Sequence, residues 1–219
     1  QKAIIVSVVA FAVAGWWFVR NAIIYDGDIL GTKTQNEYGD KYAMEEYKPS
    51  TRKTPQNEGE SLWNMLHDDK WIKVTAKSFI GIFGYHSIIM SNKIYYSYFL
   101  IWLIGGIGCI LKFKELFIYK NEERNKYLLN YIFVISIIIP IALSVIYSYT
   151  SDFQPQGRYI MGIIVPFTYF LVSGIEAVLE KFVKSQKIKK TIVLMLIALI
   201  ILISFKAIFA YIIPVYEKI

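Results

Sequence analysis

The sequence predicts an all-α integral membrane protein with about five transmembrane helices and a long extracytoplasmic loop that contains an amphipathic interfacial helix. Three observations predict it. Hydrophobic residues make up 55% of the 219-residue chain, and the mean hydropathy is +0.41. They gather in runs at 3–19, 95–113, 127–149, 159–175 and 191–213, each near the roughly 20 residues that cross a hydrocarbon core of about 30 Å. Two short loops, 112–126 and 181–190, are rich in Lys and Arg, as cytoplasmic loops of membrane proteins are. No soluble fold class needs five such runs in one chain.

The first run starts at Gln1, has Lys2 as its charged flank and ends in Trp16-Trp17-Phe18. A secretory signal would show a basic head and a small-residue cleavage site. Residues 1–19 are therefore expected to be a membrane helix, in a chain whose upstream part is absent. The basic loops set the orientation of the rest. Lys112, Lys114, Lys120, Arg124 and Lys126 fall in one, and Lys181, Lys184, Lys187, Lys189 and Lys190 in the other. With 112–126 and 181–190 cytoplasmic, segments 20–94 and 150–158 are extracytoplasmic, and 95–219 is a four-helix transmembrane region.

Within 20–94, residues 20–31 continue from the first helix. Residues 32–59 are polar and carry Gly39, Pro49, Pro55 and Gly59, which predicts irregular or partly ordered loop. From there Leu62, Trp63, Leu66, Trp71 and Val74 alternate with charged residues at helical spacing. The spacing predicts an interfacial helix near 61–77, started by Ser61. The run from Ser78 to Tyr85 is too short to span and is expected to be re-entrant or packed in the bundle. Gly105, Gly106 and Gly108 predict close helix packing.

The net charge of +7 is explained by the two basic loops, so no nucleic-acid partner is expected; the partner is the lipid bilayer. The single Cys109 lies in an apolar run and has no intrachain partner. Abundant Ile, Lys, Asn and Tyr suit a bacterial source, and the expected location is the bacterial cytoplasmic (inner) membrane.

Candidate site residues lie on the outer side. Arg20 and Asn21 follow the aromatic cluster, and an Arg at the boundary either snorkels or binds a phosphate bidentately. Asp26 and Asp28 flank Gly27 and could hold a divalent cation through carboxylate oxygens, although a turn accounts for them as well. Arg158 follows Gly157 at the start of a span, where helix N–H groups and the guanidinium would form an anion site; a bond to Asp152 is the alternative. Lys206 lies inside the last span and is expected to snorkel outward. His67 and His86 have no metal-ligand spacing.

Four stretches together resemble a bacterial family of predicted membrane proteins related to GT-C glycosyltransferases, a superfamily that includes the protein mannosyltransferases. Family members carry W-[WY]-x-x-R-N, a Y-G-D-P-L-G-like turn, S-F-W-G-x-F-G-W and P-Q-G-R-Y. Here the stretches are Trp16-Trp17-Phe18-Val19-Arg20-Asn21, Tyr25 to Gly31, Ser78 to Tyr85, and Pro155-Gln156-Gly157-Arg158-Tyr159. Ile29 stands where the family has Pro, Asp26 is inserted, and Ile80 and Tyr85 replace tryptophans.

The resemblance implies the C-terminal part of a GT-C-like bundle that transfers a sugar from polyprenyl phosphate to a glycan or protein acceptor at the outer face. It implies donor-phosphate contacts from Arg158, Arg20, Tyr159 and Gln156. A carboxylate base would come from an upstream loop, with Asp28 and Asp152 as lesser candidates. A lipid-linked glycan flippase or a non-enzymatic envelope assembly subunit are the competing expectations.

Overall fold

A computed structural model describes residues 2–84, 86–118 and 124–217. Gln1, Tyr85 and Lys120, named above, lie outside them. Among the described residues the regular structure is helical apart from one hairpin of two-residue strands, with loops between the elements. Five helices are long and apolar enough to cross a membrane: Ile4–Ile24, Asn92–Leu111, Asn125–Thr150, Gly157–Phe182 and Gln186–Tyr216. The chain thus has the makings of a multi-pass membrane protein. Each span contains its expected run or nearly all of it, and most extend past it, because polar flanking residues continue the helical hydrogen bonding where hydropathy has already fallen. The chain divides into two compact units, Gln1–Ser61 with Thr150–Asp152, and Leu62–Tyr149 with Phe153–Ile219.

In the first unit, α1 (Lys2–Ile24) is followed by a tight turn and α2 (Thr32–Tyr42). The polar stretch expected to be irregular therefore begins with a helix. None of its residues is buried, so it has no apolar stripe to betray it in the sequence. Gly39 lets it approach Pro49, whose Cγ would lie 2.9 Å from a Cβ at that position. Beyond α2 the chain is held by side-chain to backbone bonds. Ser50 N–H donates to Asp40 Oδ1 at 2.8 Å, Asn57 Nδ2 to Arg52 O at 2.9 Å and Arg52 Nη2 to Thr150 O at 3.3 Å.

In the second unit the single helix expected near 61–77 is two, α3 (Leu62–His67) and α4 (Trp71–Gly81). The break is at Lys70, which adopts φ +62°, a left-handed conformation that no α-helix continues through. Trp71 is 4% exposed, and its Nε1–H donates to Ser148 Oγ at 2.8 Å. The second tryptophan of the expected interfacial face is thus a packed residue; Trp63 remains exposed and stacks on His67.

After α4, β1 (Ile82–Phe83) pairs antiparallel with β2 (Ile88–Ile89). This is the short apolar run after Ser78, packed in the bundle. Tyr95, wholly buried on α5 (Asn92–Leu111), fixes it: its hydroxyl donates to Gly81 O at 2.8 Å and accepts Met90 N–H at 3.1 Å. Met90, Ile94, Tyr95 and Ala207 form a buried cluster, with Ile203 and Tyr211 packed against it.

Next come α6 (Phe113–Phe117), α7 (Arg124–Thr150), a 3-10 segment Gly157–Ile163 and α8 (Ile164–Phe182). α5 and α8 run parallel through a glycine contact. Gly105 faces Leu171, Gly108 faces Gly174, and beyond them Lys112 pairs with Glu176 at 3.3 Å. Gly105 and Gly108 thus serve the packing expected of them, whereas Gly106 faces open space. At the Lys112 end the fully buried Asn130 donates to Leu116 O at 2.7 Å and accepts from Tyr169 OH at 2.9 Å. A buried amide in an apolar span must be paired, and here it joins α6, α7 and α8.

The last span is α9 (Gln186–Lys206), a π-helical turn Ala207–Ile212 and α10 (Ile213–Tyr216). No residue of α9 is buried; the span packs through Ile203, Ala207 and Tyr211 at its far end. Within this unit the basic residues Lys112, Lys114 and Lys126 lie at one end of the helices. The hairpin, the 3-10 segment and the π turn lie at the other, as the alternation of spans requires.

Candidate functional site

At the hairpin end of the second unit, two of the four motif stretches meet. Gly157 is buried against the backbone of Ser78 and Phe79, so closely that a Cβ there would sit 2.6 Å from Ser78 C. Only a residue without a side chain lets the 3-10 segment lie on α4 in this way. The next residue, Arg158, is thereby held at the rim of a cavity of about 550 Å³. Its walls are Ser78 to Phe83 on one side and Gln156, Arg158 and Met161 on the other, with the half-buried His86 at the hairpin turn. Both His86 and Gly84 have positive φ, +67° and +53°; that local geometry sets the turn which brings the imidazole to the cavity.

Arg158 is exposed, and its Nη2 donates to Tyr159 OH at 3.0 Å. The guanidinium lies 5.0 Å from the centre of the Tyr159 ring, and Tyr159 OH donates in turn to Gln154 Oε1. A guanidinium has five N–H donors, and among the described residues of this unit no carboxylate pairs with this one. Arg158 is therefore aligned by an aromatic neighbour while keeping donors for an anion. Gln156 lines the same cavity. Arg158, Tyr159 and Gln156 are thus neighbours, with Tyr159 N–H donating to Gln156 O at 3.2 Å.

In the first unit, Asn21 is 2% exposed. Its Nδ2 donates to Ile29 O at 3.2 Å, and Arg20 Nη1 donates to Asn21 Oδ1 at 3.3 Å. The Arg-Asn pair therefore ties the end of α1 to the turn that follows, and Gly31 at φ +71° closes that turn. Arg20 itself is exposed.

Asp28 accepts Thr34 N–H at 2.8 Å through Oδ2. That bond, the largest influence, outweighs the opposing desolvation with lesser help from the Thr34 side chain and the Gly31 and Lys33 backbone, and holds the carboxyl below the usual 3.8. The carboxylate caps α2, satisfying an N–H that the first turn leaves free. Asp26 is exposed at φ +48°. No group of three or more His, Cys, Asp or Glu residues suited to a metal ion exists among the described residues. The two carboxylates do not by themselves amount to a divalent-cation site. Asp152, exposed, belongs to this first unit.

Because the folded-state value of Asp28 is depressed, its capping contribution is present above about pH 3.8 and lost as pH falls through the lower folded value. Asp28→Ala is expected to speed hydrogen exchange of the Thr34 amide at neutral pH. The difference from wild type should vanish once Asp28 is protonated; a difference that persists in acid would show that the cap does not depend on charge.

Sequence reasoning missed Trp71, Ser148, Asn130 and His86 as determinants of this end or its counterpart. Their roles come from partners far along the chain. No family model, curated protein or solved structure matches this chain.

Proposed function

We propose that the chain belongs to a GT-C-type membrane glycosyltransferase that takes a sugar from polyprenyl phosphate at the outer face of the bacterial cytoplasmic membrane. The observation that carries this reading is the Arg158 cavity. It brings the Ser78-Phe79 and Gln156-Gly157-Arg158 stretches of the family resemblance together, at the end of the bundle away from the basic loops. That charge distribution supports an outer position by the positive-inside rule.

In the transfer, an acceptor hydroxyl gives its proton to a carboxylate base and attacks the anomeric carbon, the carbon–oxygen bond to phosphate breaks, and the electron pair passes to the phosphate oxygen. In this reading Arg158 stabilises that charge, Tyr159 orients the guanidinium and Gln156 donates a further hydrogen bond.

Purified full-length protein is expected to cleave or transfer a polyprenyl-phosphate hexose. Arg158→Ala should lower turnover about 10²–10³-fold, the usual cost of removing one preorganised charge stabiliser. A wild-type rate in that variant would remove Arg158 from the site. Movement of the lipid across vesicles without bond cleavage would favour a transporter instead.

A further inference from the structure

A second cavity, of about 400 Å³, borders β2. Ser87, Ile88 and Ile89 form one wall, and Ala210, Tyr211 and Pro214 of the last span form the other, with Val215 at the edge. The span is not plain α-helix there: Ile213 N–H reaches back to Ile208 O within the π turn. π turns occur mostly as single insertions and often at functional sites. Pro214 follows without an N–H to continue the helical bonding.

Tyr211 is half-buried, and its hydroxyl accepts Ser91 N–H at 3.2 Å. The phenolic proton is thereby left to donate. Ser87 Oγ donates to Gly84 O, which keeps its own lone pairs for a donor. Ile89 and Val215 are exposed aliphatic side chains beside these groups. Among the described residues no charged side chain lines the cavity; Lys206 is not among its walls, although it acts electrostatically on the Tyr211 hydroxyl.

Neutral donors and acceptors beside an apolar edge suit hydroxyl groups. A phosphate or carboxylate would have to shed water against walls that are themselves uncharged, which is costly. Because the cavity lies at the end of a membrane-crossing helix, a ligand arriving from the bilayer brings an apolar tail for Ile89 and Val215. We propose that the cavity between β2 and the π turn is a second binding site, which takes the uncharged, hydroxyl-bearing headgroup of a glycolipid. As a binding site it stands independently of the Arg158 cavity and of the transferase reading.

The test uses full-length protein in phosphatidylcholine vesicles, with and without monoglucosyl diacylglycerol, and follows amide hydrogen exchange at residues 87–91 and 207–215. With the glycolipid at ten times its Kd, exchange there is expected to slow about tenfold, in wild type and in Arg158→Ala alike. Val215→Trp, which fills the cavity from its exposed edge, should abolish the protection. Tyr211→Phe, which keeps the shape and removes the donor, should weaken it. Equal protection by unglycosylated diacylglycerol or by phosphatidylglycerol, or protection that survives Val215→Trp, would overturn the proposal. Loss of sugar transfer in Arg158→Ala with protection intact would separate this site from the catalytic reading.

Discussion

One methyl group added at Gly108 should force α5 and α8 apart. A Cβ at that position would lie 2.7 Å from Gly174 Cα and nearer still to Gly174 C and O. All three are backbone atoms, so no side chain can swing away to make room. The opposing residue is equally constrained, because a Cβ at Gly174 would run into the Gly105 backbone. Between membrane helices, where lipid is as apolar as the side chains, close backbone approach is itself the main attraction. Gly108→Ala therefore loses contact along the whole crossing, and a cost at or above the usual 1–3 kcal/mol for overpacking is expected. The Lys112–Glu176 pair, one turn beyond, should loosen with it. Gly106→Ala is the control: nothing lies within 4 Å of its Cβ position, and replacing a mid-helix glycine should help by about 0.5–1 kcal/mol. Thermal unfolding in one detergent would compare the two. Equal stability of both variants would show that the crossing is not as tight as described.

Gly157→Ala is expected to damage the site and the fold together. Its added carbon would meet Phe79 N and Cα and lie 2.6 Å from Ser78 C. The 3-10 segment would have to lift off α4, carrying Arg158 away from the cavity wall. The expected result is a stability loss of about 1–3 kcal/mol together with weaker retention of a phosphate-bearing lipid. Arg158→Ala should lose lipid retention with little change in stability, since Arg158 is exposed. If Gly157→Ala unfolds at the wild-type temperature, the contact between these two stretches is not a structural one.

The spans were legible because each depends on its own residues: a run of apolar side chains makes a membrane helix wherever it occurs. Their ends were not, since Ile23 and Ile24 prolong α1 beyond the Arg20-Asn21 pair. α2 was hidden because its stabilising bond comes from Asp28, outside the helix, and not from a buried face. The break at Lys70 leaves no mark in a pattern where Leu62, Leu66 and Trp71 keep nearly helical spacing. Trp71 read as an interfacial residue because its partner, Ser148, lies 77 positions away. At the candidate site, Arg158 was recognisable from its unusual place beside Gly157 at the start of a span. The reason for the glycine was not recognisable, because it lies in the Ser78-Phe79 backbone.

The last span is 31 residues long, about 46 Å as continuous helix at 1.5 Å per residue, against a hydrocarbon core of about 30 Å. A helix longer than the core tilts, and the tilt changes with bilayer thickness. Here the buried cluster of the span lies at Ile203, Ala207 and Tyr211, whereas no residue of α9 is buried, so the span is held most firmly at one end. Thickness changes are therefore expected to alter the angle of α9 more than the hairpin and the π turn.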